Sequence, residues 1–328
     1  MTGCPRTKET KSILPTMSGK LSKHTQTASK DIKMNLSGII GYPVTPFKVD
    51  STGVDLQKLG HVIDVLLEAK SDAIATLGSA GEAAYLSEAE WKLVADFTVK
   101  HVAGRVPVVI GVAQLTTDQA VNYAKYAHEV GADALMLSPF SYYKLNEDEV
   151  FQHYQSVSNA TPLPLMIYNN PATCGVDMSP EFMLQMVEKI ENATMIKEST
   201  GDIQRMHKIY KLSDGQVPFF NGCNHMALEA FNAGASGWCT AAPCLIGDQP
   251  KQLFDAVQSG QGDAAKELFY QQFDFLEFIV KSGLAAAVKA GFSILGSDVG
   301  APRKPLLPLN DSAQKQLETM LGGLGRLG

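Results

Sequence analysis

Lys197 sits inside a short apolar run, TMIKEST (residues 194–200), with Met195 and Ile196 before it and Glu198 and Ser199 after it. A charged amine in such a run is costly unless it pairs with an acid or gives up its proton. If it pairs, Glu198 is the nearest candidate, and the lysine is structural. If it stands in an apolar wall, burial favours its neutral form. At an ordinary pKa of about 10.4, roughly one lysine amine in a few thousand is neutral at pH 7, and a drop of about three units raises that to roughly a third. A neutral amine attacks a ketone and forms an iminium, and the iminium draws electrons from a breaking or forming C–C bond. Tyr168, which ends the run PLMIY, could move the protons this requires. Its plainer role would be a buried tyrosine bonded to a backbone carbonyl. The stretch GSAGEA (residues 78–83) is a glycine turn entering a helix. Its N–H groups suit a small carboxylate, and Ser79 could pass a proton to Tyr168.

These residues need a scaffold that gathers them. From Gly38 onward, short β-rich runs alternate with helical patterns. The runs are GIIGYPVTPF, DAIATLGS, VPVVIGV, DALMLSPF, PLPLMIYNNP, ATMIKEST, PFFNG and SGWCTAAP. Helix starts carry capping residues such as Ser87, with Glu90 completing a capping box, and Thr117. Helix ends carry Gly131 and Gly234. Eight such units predict an α/β fold, a (β/α)8 TIM barrel, over residues 37–260. An open doubly wound sheet would more often show a glycine-rich loop after its first strand, and here that turn reads YPVTPF. No GxxxxGK[ST] occurs. Beyond about Ser259 three helical patterns follow with no strand between them, so residues 261–328 are expected to form an all-helical C-terminal extension. Residues 1–36 are rich in Ser, Thr and Lys and lack apolar periodicity, so they are expected to be a disordered extension. An organelle presequence there is weakly supported, with more Lys than Arg and with Glu9 and Asp31 present.

A barrel gathers function at the C-terminal ends of its strands. That rule selects Thr45 after the first strand, Gly78 to Glu82 after the second, and Ser138, Tyr142 and Tyr143 after the fourth. Tyr168 and Asn169 follow the fifth, Lys197 and Ser199 the sixth, and Asn221 and Gly222 the seventh.

Composition removes other classes. The 328 residues are 45% hydrophobic and carry a net charge of -6, against a general nucleic-acid partner. No apolar run approaches the roughly 18 residues of a membrane span. Five cysteines give no disulfide framework and fit a reducing, cytoplasmic compartment. Cys239 and Cys244 have no second Cys or His pair to complete a zinc site, so no metal is expected. NGCN followed by SGWCTAAP makes no convincing phosphate loop.

Taken together, GSAGEAAYLS, SPFSYYKL, YNNPATCG, IKESTGD, NGCN and APRKPLLPL make the chain resemble the dihydrodipicolinate synthase / N-acetylneuraminate lyase family over about residues 37–310. The resemblance implies a class I, Schiff-base-forming lyase without a cofactor. It would condense pyruvate with an aldehyde, or cleave a 2-oxo acid, such as a 2-keto-3-deoxy or 4-hydroxy-2-oxo acid, to pyruvate and an aldehyde. A dehydratase or hydratase acting through the same iminium stays open. So do a true 4-hydroxy-tetrahydrodipicolinate synthase and a 2-oxo-acid-binding barrel without turnover. By resemblance, Lys197 forms the imine, Tyr168 shuttles protons and Ser79 links to that tyrosine. Tyr142, or else Tyr143, matches a tyrosine supplied by a neighbouring subunit, and a homotetramer built as a dimer of dimers is expected. Ala80 replaces the usual threonine, so carboxylate binding falls to Ser79 and the backbone of Ala80 and Gly81. Cys239 matches an apolar position near the oxo acid. Thr173 stands where the synthases carry an arginine clamp, and Asn224 and His225 stand where sialic acid lyases carry Asp-Glu. Ser199 could bind a substrate hydroxyl.

Overall fold

Each apolar run forms a strand. They are β1 (Gly38–Gly41), β2 (Ala73–Thr76), β3 (Val108–Gly111), β4 (Ala134–Leu137), β5 (Leu165–Asn169), β6 (Ala193–Glu198), β7 (Phe219–Asn221) and β8 (Gly237–Thr240). In the computed structural model, which describes residues 36–48 and 53–327, they pair in parallel and in chain order. Closure comes from β8 on β1, with Ile40 opposite Cys239. Nearly every strand residue is buried, because one face fills the barrel and the other meets helices. This is the expected (β/α)8 barrel.

Helix ends follow the local chemistry. Ser87 and Glu90 form a full capping box on Glu88–Val102. The cap of Thr117–Glu129 is Thr116 rather than Thr117, since it is the Thr116 side chain that accepts from Gln119 N. Gly131 and Gly234 adopt φ of 89° and 95°, which ordinary side chains resist. One barrel element escaped the sequence reading. After β8 a short turn of helix, Pro243–Ile246, leads through Gly247 into the helix Gln249–Gln258. The segment CLIGDQP looks like a loop, yet Pro250 lies in the first turn, where its missing N–H costs nothing.

The chain just before β1 already packs on the barrel. Leu36 is buried, and Ser37 Oγ donates to the Ser236 carbonyl. The expectation of a disordered extension over residues 1–36 lies, except for Leu36, outside the described residues. The C-terminal helices Gly262–Lys281, Leu284–Ile294 and Asp311–Gly323 belong with the barrel to one compact unit.

A charged clasp fastens that extension to the turn after β2. Glu82, in the left-handed region at φ 54°, accepts 2.6 Å from Lys289 Nζ and 2.7 Å from the Arg303 backbone N–H. Both side chains of the Glu82–Lys289 pair are essentially inaccessible. Such a pair is tolerable only when its remaining groups are satisfied, and Lys289 also donates to the Ala301 carbonyl. The Arg303 guanidinium forks onto Glu90 at 2.8 and 2.6 Å, and the Phe47 ring lies beneath both cations. The glutamate of GSAGE is therefore an anchor for the C-terminal helices.

Arg303 holds the Glu90 carboxyl at about 2, below its ordinary 4.5. A depressed folded-state value contributes stability above the unfolded value, lost as pH falls toward the folded one. The urea midpoint of wild type should exceed that of Glu90→Gln by a full margin above pH 4.5, shrinking as pH approaches 2. A margin independent of pH across that window would refute the assignment.

Candidate active site

Strand alternation settles the first question about Lys197. Tyr168 lies opposite Lys197 across β5 and β6, and Asn169 lies opposite Glu198. Side chains alternate along a strand, so Tyr168 and Lys197 enter the barrel while Asn169 and Glu198 face the helices. Glu198 is consumed there. It accepts from Asn169 Nδ2 at 3.1 Å, from the Thr200 N–H at 2.7 Å and from Arg205 Nε at 3.2 Å. Arg205 also bonds Asp177 and the Met178 carbonyl, and Asn169 Oδ1 accepts from Met178 N at 3.0 Å. This outer network fixes the β5/β6 register. Among the described residues Lys197 forms no ion pair.

The amine is 5% exposed and lies between two phenols. Its Nζ is 3.9 Å from the centre of the Tyr168 ring and 4.3 Å from that of Tyr42, and it donates to Tyr42 Oη at 3.2 Å. Tyr42 in turn donates to Met136 Sδ at 3.0 Å. Burial, helped by Cys239 and Tyr168, pushes the Tyr42 hydroxyl far above its usual range, so it stays protonated. Burial also raises the Cys239 thiol, against the opposing pull of Lys197 and of its bond with Tyr42. Tyr42 was missed in the sequence. It is the first residue after β1, three residues before Thr45.

A cavity of about 720 Å³ opens over this floor at the C-terminal ends of the strands. Ser79, Ala80, Tyr168, Thr173, Lys197, Ser199, Gly222 and Cys239 all line it, which brings most of the sequence candidates together. Thr45 and Gly81 do not. The Thr45 hydroxyl donates its proton to the Gly81 carbonyl at 2.7 Å, so it pins the turn. The Gly81 N–H is spent on the Gly78 carbonyl at 3.1 Å. The N–H groups of Ser79 and Ala80 make no hydrogen bond, which leaves two donors at the wall. The expected link from Ser79 to Tyr168 is not made within this chain. Tyr168 Oη instead accepts from Asn170 Nδ2 at 2.8 Å. Tyr142 and Tyr143 are 87% and 76% exposed, packed edge to face on each other and outside the cavity lining.

Gly222 is required by its neighbours. A Cβ there would lie 1.7 Å from Ser199 Oγ and 2.8 Å from Lys197 Cε. Ser199 Oγ is buried and has no partner, a donor and acceptor left for a ligand. Asn224 accepts from Trp238 Nε1 at 3.2 Å, and burial beside Glu198 pushes the Cys223 thiol up to about 11. The outer part of the cavity is built by the C-terminal extension, through residues such as Val280, Leu284 and Leu307. That contribution was invisible in the sequence because it depends on how distant helices pack. Among the described residues, no group of three or more His, Cys, Asp or Glu side chains is arranged to hold a metal, and no helix is long and apolar enough to cross a membrane.

Comparison with known proteins matches this geometry to one family. The model of the dihydrodipicolinate synthetase family matches residues 35–323. A 4-hydroxy-tetrahydrodipicolinate synthase of Bacillus velezensis is 32% identical over 89% of this chain and all of its own length. A Pseudomonas aeruginosa crystal structure, described as a candidate dihydrodipicolinate synthetase, superposes with a TM-score of 0.87 at 52% identity. It covers 88% of this chain and 99% of the other. Dihydrodipicolinate synthase from Aquifex aeolicus superposes at 0.84 with 28% identity, covering 88% and 98%.

The crowding at Gly222 gives a direct check. Gly222→Ala should displace Ser199 and Lys197 while leaving the barrel folded by circular dichroism. Capture of a carbonyl compound at Lys197, trapped with borohydride and read by intact mass, should fall by about tenfold or more, since about 1.4 kcal/mol of misplacement suffices for that. Undiminished capture would show that the amine does not depend on this close approach.

Proposed function

The chain belongs to the dihydrodipicolinate synthetase family, and from that premise we propose that it is a Schiff-base-forming lyase acting on pyruvate and an aldehyde, or on the 2-oxo acid they form. The observation that carries this reading is an amine buried in a cavity with no carboxylate to pair with, set against two phenols. The Lys197 amine attacks the C2 carbonyl of the oxo acid, and the carbinolamine loses water to give the iminium. The free N–H groups of Ser79 and Ala80 receive the carboxylate. In cleavage the C4 hydroxyl gives up its proton, C3–C4 breaks, the aldehyde leaves, and the electron pair moves into the enamine. Protonation at C3 and hydrolysis then return pyruvate and the free amine. Condensation runs through the same steps in reverse.

Tyr168 is the group that moves the proton, with Asn170 holding its hydroxyl in place. Tyr42 acts on the nucleophile itself. Its hydroxyl accepts from Nζ and stays protonated, so it aims the amine without competing for the substrate. Tyr142 lies outside the cavity of its own chain, which supports the reading that it serves a neighbouring copy in an oligomer, the tetramer expected from the family.

Pyruvate and borohydride should add one reduced adduct to the wild-type mass, and Lys197→Ala should abolish both adduct and turnover while staying folded. Tyr168→Phe should retain the adduct and lose about 10²–10³ in kcat, with KM little changed. Tyr42→Phe should lose about tenfold in kcat, the worth of one hydrogen bond at the reacting nitrogen. An adduct without turnover on any aldehyde would leave a 2-oxo-acid-binding barrel as the correct reading, and no adduct would overturn both.

A further inference from the structure

The cavity carries its own statement about the second substrate. Among the described residues that line it, Lys197 is the only charged side chain, and the imine consumes that amine. Of the cations next to the wall in sequence, Lys281 is paired with Glu277 at 2.8 Å and Lys304 does not line the cavity. Arg303 is forked onto Glu90 and bonded to the Tyr85 carbonyl at 2.9 Å, and Lys289 is paired with Glu82. The outer wall is aliphatic, made by Val280, Leu284, Ala285, Ala286, Leu306 and Leu307. The polar groups between floor and wall are neutral. Ser199 Oγ is buried without a partner, and Thr173 Oγ1 donates to the Asn170 carbonyl at 3.2 Å.

Resting on the Schiff-base reading above, we propose that the electrophile is an uncharged aldehyde with an apolar substituent. In the cleavage direction the substrate is a 4-hydroxy-2-oxo acid with an apolar tail. A carboxylate or ammonium on the aldehyde would leave water for a wall that offers it no counter-charge. An alkyl or aryl group would instead cover the exposed aliphatic side chains. Ser199 takes the one neutral oxygen that such a substrate presents at C4, as its hydroxyl before cleavage and as the aldehyde carbonyl after. The bond made in condensation joins C3 of the pyruvate enamine to the aldehyde carbon, and the carbonyl oxygen takes a proton to become the C4 hydroxyl.

The test is condensation of pyruvate with two sets of aldehydes, followed by mass spectrometry. The apolar set is propanal, butanal, pentanal and benzaldehyde, and the charged set is glyoxylate and aspartate semialdehyde. Borohydride trapping of pyruvate on Lys197, run alongside, reports the Schiff-base step on its own. With the adduct present, kcat/KM should rise about fourfold per methylene from propanal to pentanal. The charged aldehydes should trail pentanal by about a hundredfold or more. Leu307→Lys, at a position 70% exposed, should lower kcat/KM for pentanal and raise it for glyoxylate. Adduct formation with charged aldehydes preferred, or with no apolar aldehyde consumed, would overturn this inference alone. Failure to form the adduct would overturn the reading it rests on.

Discussion

Among the described residues no carboxylate pairs with the Lys197 amine, and much of the molecule follows from that constraint. Lys197 lies beside Glu198 in sequence, yet the strand turns them to opposite faces. The acid is then claimed by Asn169, Thr200 and Arg205. A one-residue slip of β6 would exchange the two, putting a carboxylate in the barrel and the amine among the helices. The outer network therefore keeps Lys197 facing inward without touching it. By binding Glu198 to the residue beside Tyr168, it fixes which side chains of both strands face inward.

The interior completes the arrangement with aromatic surface. Two ring faces and a thioether surround Nζ, and one phenol accepts its hydrogen bond. These groups contact the amine from several directions and offer no full negative charge, since burial keeps the Tyr42 hydroxyl protonated. The same logic explains Gly222. Anything larger than hydrogen would meet Ser199 and the lysine stem at once.

The sequence carried the barrel clearly, because eight short apolar runs separated by capped helices leave few alternatives. It also carried Lys197 and Tyr168, whose positions at strand ends fix where they point. What it hid depends on packing between distant segments. Tyr42 touches Lys197 across the barrel, a contact that neither residue's neighbours signal. Thr45 and Gly81 looked available until the fold bonded them to the turn itself. The helix Gln249–Gln258 was masked by Gly247 and Pro250, residues that punctuate loops and helix starts alike. The aliphatic outer wall comes from two C-terminal helices and the non-helical segment at Leu306 and Leu307, whose apolar residues read only as core.

The clasp at Glu82 joins two stretches of chain with different duties. The barrel supplies Lys197 and the two phenols beside it, and the C-terminal extension supplies the cavity's outer face. Because the Lys289 amine and the Arg303 backbone N–H grip Glu82 in the turn after β2, the extension is fastened beside the cavity by an ion pair and a hydrogen bond rather than by covalent proximity. Selectivity can then diverge as a cassette. The lining at Val280, Leu284, Leu306 and Leu307 is free to change while the clasp at Lys289 and Arg303 keeps each new lining in alignment with Lys197.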